Sequence, residues 1–256
     1  MAKTKRISEM SPSEIKEEVA KAYAKVAQRT TSCCGSSESS CGTSDASQKE
    51  SLAKALGYPV EELPDSVTES FAGCGNPVAL ADLREGEIVL DLGSGAGLDA
   101  FMAAKIVGKS GCVIGVDMTS EMILKAQSNA TKLGITNVEF RQGDIEDLPV
   151  EDNSIDAIIS NCVINLAPDK IKVFQEGFRV LRSGGRMFIS DIVLEAPLPK
   201  EIREQIQAYT GCLAGAILKE DYLKLMRDAG FEDVRIIQEA PFGMATSAKI
   251  KATKGK

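Results

Sequence analysis

Glu87-Ile88-Val89-Leu90-Asp91-Leu92-Gly93-Ser94-Gly95-Ala96-Gly97-Leu98 is the stretch that decides the fold. An apolar run ends in three alternating glycines, and a segment of helical character (98–107) follows at once. Strand, glycine loop and helix in that order let backbone approach a ligand closely, because no side chain stands between them. The spacing is not the dinucleotide pattern G-x-G-x-x-G, since Leu98 stands where its last glycine is needed. Asp91, two residues before the first glycine, suits a cationic ligand better than a pyrophosphate.

Strands at 87–92, 112–117, 138–142, 155–161 and 186–193 alternate with helices at 98–107, 120–133 and 170–181. Continuous apolar strands separated by amphipathic helices predict a parallel sheet covered on both faces. Helices near 200–210 and 219–229 come next, then strands at 234–238 and 247–253. Two closing strands without a helix between them fit an antiparallel pair at the sheet edge. The fold class is thus α/β: a Rossmann-like, mostly parallel seven-stranded sheet with helices on both faces and an antiparallel edge strand. Ahead of it, 12–29 reads as a helix, 47–57 as a short helix, and the Ser/Gly-rich stretch between them as a loop. Four regions result: an N-terminal helix (1–30), a cysteine-containing segment and lid (31–79), the ligand-binding core (80–195), and a substrate-side insertion with the closing strands (196–256).

In an open parallel sheet the carboxyl ends of the strands face one crevice, and ligands bind there. Asp117 closes the second strand, 20 residues beyond Gly97, where a carboxylate can bond ribose hydroxyls; Met118 follows it. Gly143-Asp144-Ile145 follows the third strand and puts another carboxylate at the same edge, suited to an adenine amino group. Asn161 and Cys162 close the fourth. The expected binding set is Asp91, Gly93, Ser94, Gly95, Gly97, Asp117, Met118, Asp144, Ile145 and Asn161.

A net charge of −7 over 256 residues argues against a nucleic-acid surface. No stretch approaches the roughly 20 apolar residues that span a bilayer, and the N-terminus lacks the apolar core of a secretory signal. A cytoplasmic monomer without a membrane partner is expected. Histidine is absent, which excludes imidazole bases and histidine-ligated metals. There are seven cysteines: Cys33, Cys34, Cys41, Cys74, Cys112, Cys162 and Cys212. Permanent structural disulfides are not expected in a reducing compartment. Cys112, at a strand start, reads as a small buried hydrophobe. Cys33, Cys34 and Cys41 lie in polar surroundings and read as a zinc-type cluster, a regulatory disulfide or a thiol relay; zinc is disfavoured by the absence of a C-x2-C knuckle.

The glycine loop resembles motif I of the class I S-adenosylmethionine methyltransferases, E/D-x-G-x-G-x-G. Arg179-Val180-Leu181-Arg182-Ser183-Gly184-Gly185 looks like their R-V-L-x-P-G-G segment, with Ser183 in place of proline. Four further segments are similar to signatures of arsenite S-adenosylmethionine methyltransferases: Ser32-Cys33-Cys34, Gly73-Cys74-Gly75-Asn76-Pro77, Ser160-Asn161-Cys162-Val163-Ile164-Asn165-Leu166-Ala167-Pro168, and Gly211-Cys212-Leu213-Ala214-Gly215-Ala216. That resemblance implies S-adenosylmethionine as cofactor and Cys74, Cys162 and Cys212 as the ligands of As(III). It implies arsenite and methylated arsenicals as substrates, with Cys33 or Cys34 joining a catalytic thiol relay served by thioredoxin or glutathione. The doublet leaves open which of the two corresponds to the family's N-terminal cysteine. Soft As(III) selects thiolates, and methyl transfer to its lone pair needs no general base, which fits a chain without histidine. Two other readings are a quinone or other small-molecule methyltransferase with incidental cysteines, and a non-catalytic metalloid-binding protein.

Overall fold

β1 (Ile88–Leu92) sends Val89 to one side of the sheet and Leu90 and Leu92 to the other, and β4 (Ile155–Asn161) alternates likewise, with Ala157 and Ile159 opposite Ile158. Period-two alternation of apolar residues on both faces leaves a strand no wet side, so helices must cover both. The computed structural model in which this is seen describes residues 5–28 and 46–256, the side chains of 46–48 excepted. Cys33, Cys34 and Cys41 lie outside the described residues.

The remaining strands are β2 (Cys112–Asp117), β3 (Val138–Gln142), β5 (Leu181–Val193), β6 (Glu232–Phe242) and β7 (Ala245–Thr253). They form a single seven-stranded sheet in the order β3-β2-β1-β4-β5-β7-β6. The first five are parallel; β7 pairs antiparallel with both β5 and β6, so the closing hairpin stands at one edge as expected. The expected fifth strand lengthens backwards to Leu181, with a register shift against β4 between Ile155 and Ala157.

Helices α1 (Pro12–Gln28), α2 (Ala46–Ala55) and α3 (Asp65–Thr68) precede the sheet. α4 (Leu98–Val107) and α5 (Ser120–Leu133) cover one face through Phe101, Val107 and Ile123. On the opposite face, α6 (Lys170–Val180) packs Phe174 edge-to-face with Tyr222 of α9 (Lys219–Asp228), ring centroids 5.4 Å apart. The single helix expected over 200–210 is two short ones, α7 (Lys200–Arg203) and α8 (Ile206–Thr210). A third apolar cluster joins Ile15 and Val19 of α1 to Cys74, Cys162, Leu166, Tyr209 and Cys212 at the carboxyl end of the sheet. No described helix is long and apolar enough to cross a membrane.

Arg186 locks the start of the core to β5. Its guanidinium donates to both carboxylate oxygens of Glu87 at 2.8 Å and to the Ala81 carbonyl at 3.1 Å, with both ionic side chains largely buried. Removing one partner leaves the other charge without compensation. Arg186→Ala is expected to lower the free energy of unfolding by about 2–3 kcal/mol, seen in urea as a lower midpoint with unchanged slope.

Candidate active site

The glycine loop turns between β1 and α4 with Gly93, Gly95 and Gly97 all at positive φ (67°, 52° and 99°). These are backbone states that glycine adopts at little cost. A Cβ on Gly93 would collide with Val163 and one on Gly97 with Phe101, whereas one on Gly95 would meet nothing within 4 Å. Gly95 therefore borders open space, a crevice of about 970 Å³ that runs out to solvent. Eight of the ten expected binding residues line that crevice, Asp91 and Gly97 excepted, and so do Lys16, Val19 and Tyr23 of α1.

Asp117, at the end of β2, accepts the Gly95 N–H (3.0 Å) through Oδ2 and the Thr119 N–H (2.9 Å) through Oδ1. Asp144 accepts the Glu146 N–H and pairs with Lys16 at 2.6 Å; Lys16 also reaches Glu146 at 2.7 Å. Burial alone would lower the Lys16 pKa, but these two partners raise it above the ordinary value, so the ammonium is a firm latch for α1. Asp91 lies beneath the loop, 2 % exposed, and its Oδ2 has no hydrogen-bond partner. Burial, then the charges of Asp99 and Asp117, push its carboxyl well above the usual range. Burial likewise raises Asp99 to about 6. Two dry carboxylates side by side make a place where a cation is welcome.

Asp99, in the first turn of α4, is bonded on both oxygens: Oδ1 accepts the Tyr58 hydroxyl at 2.6 Å and Oδ2 accepts the Asn161 amide at 3.0 Å. Asn161 also donates to the Gly75 carbonyl (2.8 Å) and accepts the Cys74 N–H (3.1 Å). The Cys74 carbonyl accepts the Ser247 hydroxyl at 2.9 Å. Both backbone polar groups of Cys74 are thus held by side chains.

Cys74 and Cys162 are joined by a disulfide, Cα atoms 6.1 Å apart, where free thiols were expected. Packing brings the two together because the Gly73–Gly75 turn lies flat on the end of β4. A Cβ on Gly73 would strike Asn161 and one on Gly75 would strike Ser190. The Cys212 thiol donates to the Cys162 carbonyl at 2.8 Å. Cys162 (φ 56°) and Cys212 (φ 66°) both hold the left-handed conformation, which is uncommon for residues with a Cβ and clusters at functional sites. Among the described residues, the three ligand atoms within 4.8 Å of one another belong to Cys74, Cys162 and Asp191, so Cys212 stands one step outside that set. Burial, then the charge of Asp191, drives the Cys212 thiol pKa far up; Tyr23 and Lys170 pull the other way.

Asp191 on β5 accepts the side-chain amide of Asn165 (2.7 Å) and the Tyr222 hydroxyl (3.2 Å), and burial raises it to about 7. Lys170, buried, donates to the Asn165 and Ala167 carbonyls and is lowered to about 8 by desolvation. Asp99, Tyr58, Lys16, Tyr23, Lys170 and Asp191 were not singled out from sequence. Asp99 had a signal, an acid one turn into the helix after the glycine loop; the others depend on long-range packing. Cys112 is not the buried hydrophobe expected: it is partly exposed, at the opposite end of its strand from the crevice.

The methyltransferase-domain family matches residues 83–230. The arsenite methyltransferase of Halobacterium salinarum is 45% identical over 90% of this chain and 60% of its own length. That of Aquipseudomonas alcaligenes is 38% identical over 91% of this chain and 66% of its own. The chain therefore spans about 60–66% of the length of these curated relatives. The crystal structure of an arsenic(III) S-adenosylmethionine methyltransferase from Chlamydomonas reinhardtii superposes with a TM-score of 0.68, at 40% identity over 80% of this chain and 73% of that one. On this sheet, this crevice and these relatives, the chain belongs to the arsenite methyltransferase family of class I S-adenosylmethionine-dependent methyltransferases.

Proposed function

We propose that this chain transfers methyl groups from S-adenosylmethionine to trivalent arsenic held by Cys74, Cys162 and Cys212. The observation that carries the reading is the meeting of these three cysteines, far apart in sequence, in one buried cluster beside the crevice.

The donor's chemistry suits the residues present. Asp99, which lines the crevice, offers negative charge to a ligand bearing a sulfonium and an ammonium. Gly93, Ser94, Gly95 and Gly97 give its amino-acid end a bare backbone, Asp117 and Met118 hold the ribose side, and Asp144 and Ile145 the adenine. When bound it supplies an electrophilic methyl group. Val19, Met122 and Leu166 line the same crevice and keep water from it.

Arsenite is the substrate. Each thiol displaces one hydroxide, the thiol proton leaving with it as water, and three As–S bonds leave the arsenic lone pair free as nucleophile. Positioning and desolvation then do the catalytic work. Methylation takes arsenic formally to As(V); two thiolates closing into a disulfide return the two electrons. The disulfide between Cys74 and Cys162 supports such a step, since these two sulfurs can bond without displacement of the backbone. Cys33 or Cys34 would pass the oxidation outward to thioredoxin or glutathione.

Incubated with labelled S-adenosylmethionine, arsenite and a thiol reductant, the protein is expected to yield methylated arsenic. Label in a quinone and none in arsenic, or arsenic bound without turnover, overturns this reading. Cys162→Ser and Cys212→Ser are each expected to abolish product while calorimetry still registers the donor; Cys112→Ser is expected to retain near-normal activity.

Acid should weaken donor binding. A protonated Asp99 offers no charge to a cation, and its carboxyl takes a proton as pH falls through about 6. S-adenosylmethionine affinity is therefore expected to be flat above pH 7 and to drop by up to about tenfold per pH unit below 6, read by calorimetry between pH 8 and pH 5.

A further inference from the structure

The acid that faces the donor's cation and the backbone that carries the first arsenic-binding thiol share one side chain, Asn161. Its amide nitrogen lies within hydrogen-bond distance of three acceptors: Asp99 Oδ2 at 3.0 Å, the Gly75 carbonyl at 2.8 Å and the Tyr58 hydroxyl at 3.1 Å. An amide has two N–H donors, so one of the three is always underserved. Tyr58 has the same conflict, with one proton for Asp99 (2.6 Å) and the Gly75 carbonyl (3.1 Å). While Asp99 carries an uncompensated charge, it holds one Asn161 N–H and the Tyr58 proton, because hydrogen bonds to an ionised acceptor are about twice as strong as neutral ones, and the Gly75 carbonyl keeps only the second Asn161 N–H. A cation against Asp99 weakens that hold and frees the Tyr58 hydroxyl to become a second donor to the Gly75 carbonyl. The amide oxygen of Asn161 meanwhile accepts the Cys74 N–H at 3.1 Å. Gly73 lies so close to this amide that any side chain there would displace it, so a turn of Asn161 is felt by the whole Gly73-Cys74-Gly75 segment.

We propose that Asn161, with Tyr58 and Asp99, is a positioning device that couples a cation in the donor crevice to the placement of Cys74, making the thiol ready for its acceptor only when the donor is present. This rests on the proposed function for the identity of the two ligands, and it assigns Asn161 a role beyond binding the donor. It also gives an economy of chemistry: arsenic captured before the donor arrives would occupy a thiol set that cannot complete the transfer.

The test needs no arsenic. In the fully reduced protein, the alkylation rate of Cys74 by iodoacetamide is followed by peptide mass spectrometry, with Cys112 as internal control. It is measured alone, with saturating sinefungin (a donor analogue with an amine in place of the sulfonium), and with S-adenosylhomocysteine, which lacks that charge. Sinefungin is expected to change the Cys74 rate by at least about fivefold and S-adenosylhomocysteine by less, with Cys112 unaffected. Tyr58→Phe keeps the ring packed on Phe71 and does not touch the crevice. At pH 8.5, where Asp99 stays ionised without that hydrogen bond, it should bind sinefungin within about threefold of the wild type while losing most of the change at Cys74. Asn161→Ser should lose it too. An unchanged Cys74 rate in the wild type, or a full response in both variants, overturns the proposal. Either result leaves the methylation assay free to succeed or fail by itself.

Discussion

Two carboxylates held in a dry place, Asp91 at the end of β1 and Asp99 at the start of α4, are the constraint around which this molecule is arranged. Burying ionised acids costs several kcal/mol each unless charge is returned to them, and no described salt bridge returns it. Tyr58 and Asn161 supply hydrogen bonds to Asp99 but no charge. The fold thus carries an electrostatic debt at the point where the parallel strands open, and in the proposed function a cationic donor discharges it. The glycine loop beside them is the geometric half of the same device, because its positive-φ turns bring bare backbone where a charged ligand must be received.

The cysteine cluster is assembled differently. Cys74 comes from the segment before the sheet, Cys162 from the turn after β4 and Cys212 from the turn after α8, and none is near another in sequence. What gathers them is an apolar cluster with α1, in which Ile15 and Val19 bury against Leu166 and Tyr209. Lys16 ties that helix to the loop after β3 through Asp144 and Glu146. The same helix therefore roofs the crevice and walls the thiol cluster, so the two sites that the proposed function assigns to donor and acceptor share an apolar boundary.

Much of this was legible in the residues. The β1–loop–α4 unit, the parallel order through β5 and the closing hairpin follow from apolar periodicity and glycine placement, which are local signals. Asp117 and Asp144 line the crevice because strand ends in such sheets converge. Local signals end where function depends on contacts across long stretches of chain. Nothing local marks Asp191, yet it lies among the thiols. Nor does any local pattern mark Tyr58, whose hydroxyl is committed to Asp99. Cys112 shows the opposite failure: a strand residue expected inside is half-open, because its position is the amino end of β2, away from the packed middle of the sheet. The break between α7 and α8 also escaped periodicity, since a four-residue helix has too few repeats to register.

X-ray absorption at the arsenic edge measures the central claim most directly, because it counts the sulfur atoms bound to the metalloid. In the reduced protein loaded with arsenite, arsenic is expected to be bound by three sulfurs and no oxygen, falling to two sulfurs in Cys212→Ser. A spectrum dominated by oxygen neighbours, or one unchanged by that substitution, would contradict it.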